Sequence, residues 1–418
     1  PLTAIVLAAG EGTRMKSRHP KVVHNLLDKP IVWWTVRAAQ AAGAERTIVV
    51  VGNHADEIKD ALADFDAIEY VEQRERLGTG HAVRVVRDAV GGFGGPVVVI
   101  NGDAPLLRPE TITALLDETR AHHNACTLLT MTPPDPTGYG RVVFSDGRVS
   151  GIVEHKDATP EQRIHETECN VGVYCFCGSR LTKNIDLLAH DNVQGEYYIT
   201  DMVGIYVGQG EPMSAVHVDD YREALGINSR AQLAVATRIM QERINERLMA
   251  EGVTMLDPSA VWIGADVTVD RDTEILPMTM LFGSTHVGSD CVIGPNTRLT
   301  DTSVGNGCIV DETVALSAII EDGATCGPRA YLRPGAHLMP HAKAGTHVEI
   351  KNSTIGTGSK VPHLSYIGDT TMGEGVNVGA GSITCNYDGY HKFHTTIGNH
   401  VFIGSDTMMV APVTIGDG

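Results

Sequence analysis

The sequence predicts a two-part protein. An α/β, Rossmann-like lobe with a mostly parallel sheet is joined by a long helix to a left-handed parallel β-helix of hexapeptide repeats. Three observations predict it. From Ile263 onward aliphatic residues recur every six positions, before residue 229 β-rich runs alternate with helical segments, and one amphipathic stretch lies between. The expected boundaries are residues 1–228, 229–251 and 252–418.

The six-residue rhythm runs through Ile263, Val269, Ile275, Leu281, Val287, Ile293 and Leu299. Four places after each anchor stands a small or β-branched residue: Val267, Thr273, Thr279, Thr285, Cys291, Thr297 and Ser303. The register slips by one and resumes at Val304, Val310 and Leu316. It recurs at Leu332, Leu338, Ala344 and Ile350, at Ile355, Val361 and Ile367, and at Ile397, Ile403, Met409 and Ile415. Neither a 3.6-residue helix nor a two-residue strand period explains this spacing, whereas stacked triangular coils of about 18 residues do. Each coil would sit about 4.8 Å above the last with its anchors pointing inward.

In the first part, residues 4–9, 47–51, 96–100 and 125–131 read as strands separated by helical segments, the pattern of a sheet with helices on both faces. Residues 229–251 place Leu233, Ala236, Met240, Ile244 and Leu248 at helical spacing, with Ser229 and Gln232 as a capping box and Gly252 as the stop. At 1.5 Å per residue this helix would span about 33 Å, and its expected role is that of a spacer.

Composition narrows the function. Among 418 residues, 33 Lys and Arg face 51 Asp and Glu, giving a formal charge of −18 that argues against a nucleic-acid partner. No apolar run approaches the roughly 18 residues of a membrane span. Residues 2–9 are apolar but lack a basic leader and a cleavage site, and they run into a glycine loop, as a first strand would. The eight cysteines form no CxxC pair; Cys175 and Cys177 read as packing residues, and a cytoplasmic location is expected.

Two constellations carry chemistry. The first strand ends in Leu7, Ala8, Ala9, Gly10, Glu11, Gly12, Thr13, Arg14 and Met15, followed by Pro20-Lys21. Glycines after a strand let backbone N–H groups wrap a polyphosphate, and Arg14 and Lys21 supply positive charge to it. Asp103 follows a strand at its carboxyl end, where open α/β sheets hold ligands and where one carboxylate with phosphate oxygens suits Mg²⁺. Gly78-Thr79-Gly80 opens a helix. In the repeat, Arg333 and Lys351 each follow an anchor and lie 18 residues apart, so stacking brings them within about 5 Å on one face. Two such charges repel unless an anion lies between them. The hexads break between Thr384 and Thr396, where a loop carrying Lys392 leaves the prism.

The run from Leu7 to Met15 with Pro20-Lys21 resembles the signature of sugar nucleotidyltransferases. With His363, Tyr366, Asn377, Ala380 and Asn386-Tyr387 downstream, the whole chain resembles the bacterial bifunctional N-acetylglucosamine-1-phosphate uridyltransferase/glucosamine-1-phosphate acetyltransferase family. That resemblance implies a UTP site formed by Leu7, Ala8, Ala9, Gly10, Lys21, Gln73, Gly78 and Thr79, with Arg14 and Lys21 catalytic. It implies Mg²⁺ on Asp103 and Asn228, and an N-acetylglucosamine 1-phosphate pocket from Gly140, Glu154, Asn170, Tyr198 and Thr200. The family often has tyrosine where Asn101 stands, so no contact is carried over for that side chain. In the second part, Arg333, Lys351, Tyr366, Asn377 and Lys392 would hold glucosamine 1-phosphate, and His363 would act as base with Glu349 orienting its ring. Ala380, Asn386, Tyr387 and Ser405 would line the acetyl-CoA site. The family continues beyond the point matching Gly418 with further coils that contribute to CoA binding, so the sequence leaves open whether acetyl transfer is retained, weak or absent in this chain. A homotrimer is implied, with no membrane or nucleic-acid partner. Two other readings remain open at this stage: a sugar nucleotidyltransferase whose β-helix serves only assembly or regulation, and a trimeric scaffold without activity.

Overall fold

A computed structural model describes residues 1–155, 158–165, 167–190 and 195–418, with the His165 side chain left undescribed. The chain divides into two compact units, Pro1–Ile239 and Met240–Gly418.

The first unit is built on a nine-stranded sheet. Its strands are β1 (Leu2–Leu7), β2 (Ala44–Val51), β3 (Ile68–Glu72), β4 (Val97–Asn101), β5 (Cys126–Met131), β6 (Arg141–Ser145), β7 (Arg148–Val153), β8 (Cys169–Phe176) and β9 (Met213–Val218). Seven lie side by side in the order β9-β5-β8-β4-β1-β2-β3, and β6 and β7 form an arm off β8. All neighbours on the main path run parallel except β8, which is antiparallel to β4 and β5. The apolar run of β4 has no polar face because both faces are covered. Val97 and Val99 pack with α2 (Thr79–Val90) and residues 199–206, while Val98 and Ile100 pack with α1 (Ile31–Ala41) and α3 (Pro109–Ala121). Cys175 is buried on β8, whereas Cys177 stands just past the strand and is half-buried, and all eight cysteines are free thiols.

The long helix α4 (Arg230–Ala250) begins and ends as its sequence dictates. The Gln232 amide donates to Ser229 Oγ at 3.2 Å, and Gln232 Oε1 accepts from Asn228 N at 2.8 Å, one residue earlier than in a strict capping box. At the far end Gly252 adopts φ +103°, Val253 N–H reaches Leu248 O and Gly252 N–H reaches Met249 O, a complete Schellman closure. The spacer expectation needs correction. Within the second unit, buried Gln241 and Asn245 both donate to Val261 O, at 2.6 and 3.0 Å, so the C-terminal half of α4 covers the open edge of the first coil. A solenoid end left bare would expose unpaired backbone groups.

The second unit is three parallel sheets of nine short strands each, stacked as a left-handed β-helix. Leu281, Leu299, Leu332, Ile350 and Ile367 point inward and are fully buried. Two details differ from the sequence reading. Coil length varies: Leu299 pairs with Ala315 and Ala315 with Leu332, so Ala315 is the buried anchor while Leu316 is half-buried. The slip comes one position earlier than expected, with Thr302 buried and Ser303 exposed. Ile320, Cys326, Met372, Val378 and Thr384 are also buried in the prism core, although the sequence reading did not count them as anchors: Ile320 and Cys326 lead by sixes into Leu332, and Met372, Val378 and Thr384 continue by sixes after a five-residue step from Ile367. The predicted loop leaves between Cys385 and Thr395, and Thr370 regains register with Thr395 beyond it.

Candidate active sites

In the first unit, the carboxyl ends of β3, β2, β1 and β4 lie side by side, and the segments leaving them form a cavity of about 310 Å³. It is lined by Leu7, Ala8, Ala9, Gly10, Lys21, Gln73, Gly78, Thr79 and Asp103, all expected ligand residues, together with Arg76, Asn101 and Glu196. Lys21 is the pivot. Its ammonium contacts the Asp103 carboxylate and donates to Asn228 Oδ1 at 2.7 Å, although 82 and 207 residues separate these partners in sequence. Ile227 N–H bonds Asp103 O at 3.0 Å, which fixes Asn228 beside the strand end.

Local backbone explains how the loop delivers Lys21. Gly12 has φ +65°, and a Cβ there would fall 2.6 Å from Lys21 Cβ, so only glycine lets the turn fold against that side chain. Met15, buried, is held through its carbonyl by Arg230 Nε at 3.1 Å. Arg14 is exposed, does not line the cavity and makes no hydrogen bond among the described residues.

Gln73, Gly78 and Thr79 form a clamp in the cavity wall. Gln73 is buried and donates through Nε2 to Gly78 O at 3.0 Å. Gly78 has φ +98°, and a Cβ would meet Tyr197 O at 2.4 Å. Thr79 Oγ1 accepts from Ile199 N at 3.0 Å. Arg76, which the sequence reading passed over, pairs with Glu11 at 2.7 Å across the mouth and holds that carboxyl below its usual range.

The expected sugar pocket lies outside this cavity's lining. Asn170 Nδ2 donates to Tyr174 OH at 2.8 Å, and Tyr174 OH meets Thr200 Oγ1 at 3.1 Å. Gly140 stands against Glu154, whose Oε1 would be 3.4 Å from an added Cβ, and Asn170 N–H bonds Gly140 O at 2.9 Å. Burial raises the Tyr198 hydroxyl pKa, with the charges of Glu196, Asp201 and Glu154 adding to it, so Tyr198 shares a neighbourhood with Glu154.

In the second unit Arg333 and Lys351 stack as expected, but a carboxylate neutralises each. Arg333 Nη1 bonds Glu349 at 2.9 Å, and Lys351 Nζ bonds both Asp369 oxygens at 3.1 and 3.2 Å. Glu349 is therefore committed to Arg333 and does not orient His363, which is exposed and makes no side-chain hydrogen bond among the described residues. Lys392 faces Lys351, and that ammonium pushes the Lys392 pKa down. Asn386 is buried, donating to Asp369 at 2.6 Å and to Tyr366 OH at 3.3 Å. His363 and Asn377 lie on adjacent strands of a different sheet, Lys360–His363 and Asn377–Val378. Ala380 O accepts from Asp406 N at 2.8 Å beside exposed Ser405, and Tyr387 is exposed with its hydroxyl on Gly389 O at 2.6 Å. Asp369 has no counterpart in the sequence reading; a polar residue just past an anchor beside Lys351 was the available signal.

The fold and the first cavity define a nucleotidyltransferase lobe, and residues 4–163 match the family described as MobA-like NTP transferase domain. Relatives named Bifunctional protein GlmU align over nearly the full chain. The Streptomyces griseus protein is 49% identical over 100% of this chain and 87% of its own length. The Streptomyces avermitilis protein is 48% identical over the same shares. That of Desulfitobacterium hafniense is 45% identical over 99% of this chain and 91% of its own. The chain belongs to the bifunctional GlmU family, and it is an enzyme with both uridylyltransferase and acetyltransferase activity. No helix among the described residues is long and apolar enough to cross a membrane.

Proposed function

We propose that the first unit joins UTP to N-acetylglucosamine 1-phosphate and that the second acetylates glucosamine 1-phosphate from acetyl-CoA, in the cytoplasm and as a homotrimer. The observation that carries the first assignment is the convergence of Lys21, Asp103 and Asn228 at the edge of the cavity formed by the strand ends.

The donor set fits Mg²⁺. A carboxylate and an amide oxygen already converge on one cation, the Lys21 ammonium, which stands where a divalent ion would take the same two oxygens. When bound, the ion supplies charge neutralisation for the phosphates. The protein's part is alignment. Gln73, Gly78 and Thr79 hold the uracil, and the backbone of Leu7–Gly10 carries the triphosphate. The acceptor sugar rests against Gly140, Glu154, Asn170, Tyr198 and Thr200. An anionic oxygen of the sugar phosphate attacks the α-phosphorus, the bond to the β-phosphate breaks, and pyrophosphate leaves. Lys21 balances the charge that builds on the phosphoryl oxygens, and Arg14 swings in from its exposed turn to do the same.

In the second reaction Arg333, Lys351 and Lys392 hold the phosphate of glucosamine 1-phosphate, with Tyr366 and Asn377 on the sugar. His363 takes a proton from the amine, whose nitrogen attacks the thioester carbonyl, and the CoA thiolate departs and is protonated. Ala380, Asn386, Tyr387 and Ser405 line the path of acetyl-CoA. Three cationic groups drawn together beside two carboxylates leave one net positive charge, centred on Lys392, that favours a phosphate at this corner.

A nucleotide panel with and without Mg²⁺, run beside an acetyl-CoA assay on glucosamine 1-phosphate, tests both halves. Pyrophosphate release with UTP and Mg²⁺ alone is expected. Equal release from another nucleoside triphosphate, or release undiminished by chelation, would overturn the assignment.

A further inference from the structure

Asp369 is a carboxylate for which neither reaction described above has a use, yet it is among the best-connected side chains of the second unit. It is 8% exposed and sits at a prism corner in the left-handed conformation, φ +50°. Four hydrogen bonds reach its two oxygens. Lys351 Nζ donates to both, Asn352 Nδ2 to Oδ1 at 2.8 Å, and Asn386 Nδ2 to Oδ2 at 2.6 Å. Asn386 in turn touches Tyr366 OH at 3.3 Å. Lys351 and Asn386 come from coils on either side, 18 and 17 residues away in sequence.

The placement is informative because the ligands are split between two substrates. Lys351 and Tyr366 face the amino-sugar phosphate, and Asn386 faces the acyl donor. A flexible lysine beside two other cations would otherwise drift away from them, since Arg333 and Lys392 repel it. A buried carboxylate with its lone pairs filled holds that ammonium at one point, and charge-assisted bonds are the strongest available for the purpose.

We infer that Asp369 is a positioning residue for acetyl transfer, locking Lys351 and Asn386 into one rigid unit so that acceptor and donor sites are built together. This rests on the acetyltransferase reading given above. Asp369 touches neither substrate; it acts through the side chains it holds.

The test is Asp369→Asn in the full chain. Asparagine accepts the left-handed backbone, so the corner keeps its shape while the charge is lost. Binding of glucosamine 1-phosphate by calorimetry is expected to weaken about tenfold or more, the worth of a charge-assisted hydrogen bond. The KM for the amino sugar should rise with it, while uridylyl transfer stays unchanged. Asn352→Gly, which removes the partner farthest from either substrate at a position with φ +45°, should weaken binding by a smaller factor with little change in melting temperature. Adding Lys351→Met to Asp369→Asn should cost less than the sum of the two single changes. A merely structural Asp369 would lower the melting temperature and leave KM within twofold, and that result, or full additivity, overturns the inference. A wild-type protein that binds no glucosamine 1-phosphate overturns the acetyltransferase reading itself, and the inference with it.

Discussion

Lys21→Met separates the two jobs its ammonium performs. The variant keeps an unbranched stem of similar length, so the packing that Gly12 accommodates survives. What disappears is a cation touching the Asp103 carboxylate and donating to Asn228 Oδ1, in a cleft where the Lys21 and Asp103 side chains are 14% and 17% exposed. Among the described residues Lys21 and Arg76 are the cationic side chains lining the cavity, and Arg76 is held by Glu11. Removing one preorganised group that stabilises transition-state charge lowers turnover about 10²–10³-fold, or about 2.7–4 kcal/mol. Pyrophosphate release at saturating UTP is therefore expected to fall by that factor, with acetyl transfer unchanged as an internal control. The same change exposes both oxygens to a metal ion without competition, so Mn²⁺ binding to nucleotide-free protein, read by electron paramagnetic resonance, should tighten about tenfold, or about 1.4 kcal/mol. Turnover within threefold of wild type would refute the role, and unchanged Mn²⁺ affinity would refute the idea that lysine and metal share a place.

Further expectations can be checked with simple measurements. Gly12→Ala forces a left-handed alanine costing about 1–2 kcal/mol and pushes Lys21 aside, so uridylyl transfer should fall about 10²-fold, as a misplacement near 1 Å does; normal turnover would show that the turn does not position Lys21. Six of the eight cysteines are buried and Cys177 and Cys385 are half-buried, so a thiol reagent should label two per native chain and eight after unfolding. Burial works to raise the Asp369 pKa, but hydrogen bonds from Asn352, Lys351 and Asn386 outweigh it and hold the carboxyl below its ordinary range. A depressed carboxyl stabilises the fold above its unfolded value of about 3.9, and this contribution is lost as the pH falls through the folded value. Melting temperature should thus drop below about pH 4 in wild type and less steeply in Asp369→Asn.

Much of the fold was legible because burial imposes a period. The prism core accepts one aliphatic side chain per face, so Leu281 and Leu299 announce themselves, and the glycine turn after β1 announces a ligand loop. The period failed where coils shortened. Ala315, small and next to Leu316, hides the true anchor, and Thr384 is a polar residue buried by hydrogen bonds to Gly368. Long-range pairings were hidden for another reason. Nothing in the spacing of Lys21, Asp103 and Asn228 shows that they meet, and the choice of Arg333 and Lys351 for carboxylate partners depends on which corner residues face outward. Glu349 looked free to serve His363 until Arg333, 16 residues earlier, was seen to hold it. Arg76 and Asp369 were missed because their roles lie in what they touch rather than in any motif.

Two chemistries reside in separate folded units of one chain, and a crossed pair of variants separates them. Asp103→Asn and His363→Ala are each assayed for uridylyl and acetyl transfer in the same preparations. The first should lose pyrophosphate release and retain acetylation, and the second should do the reverse. Loss of both activities in either variant would contradict the division of labour.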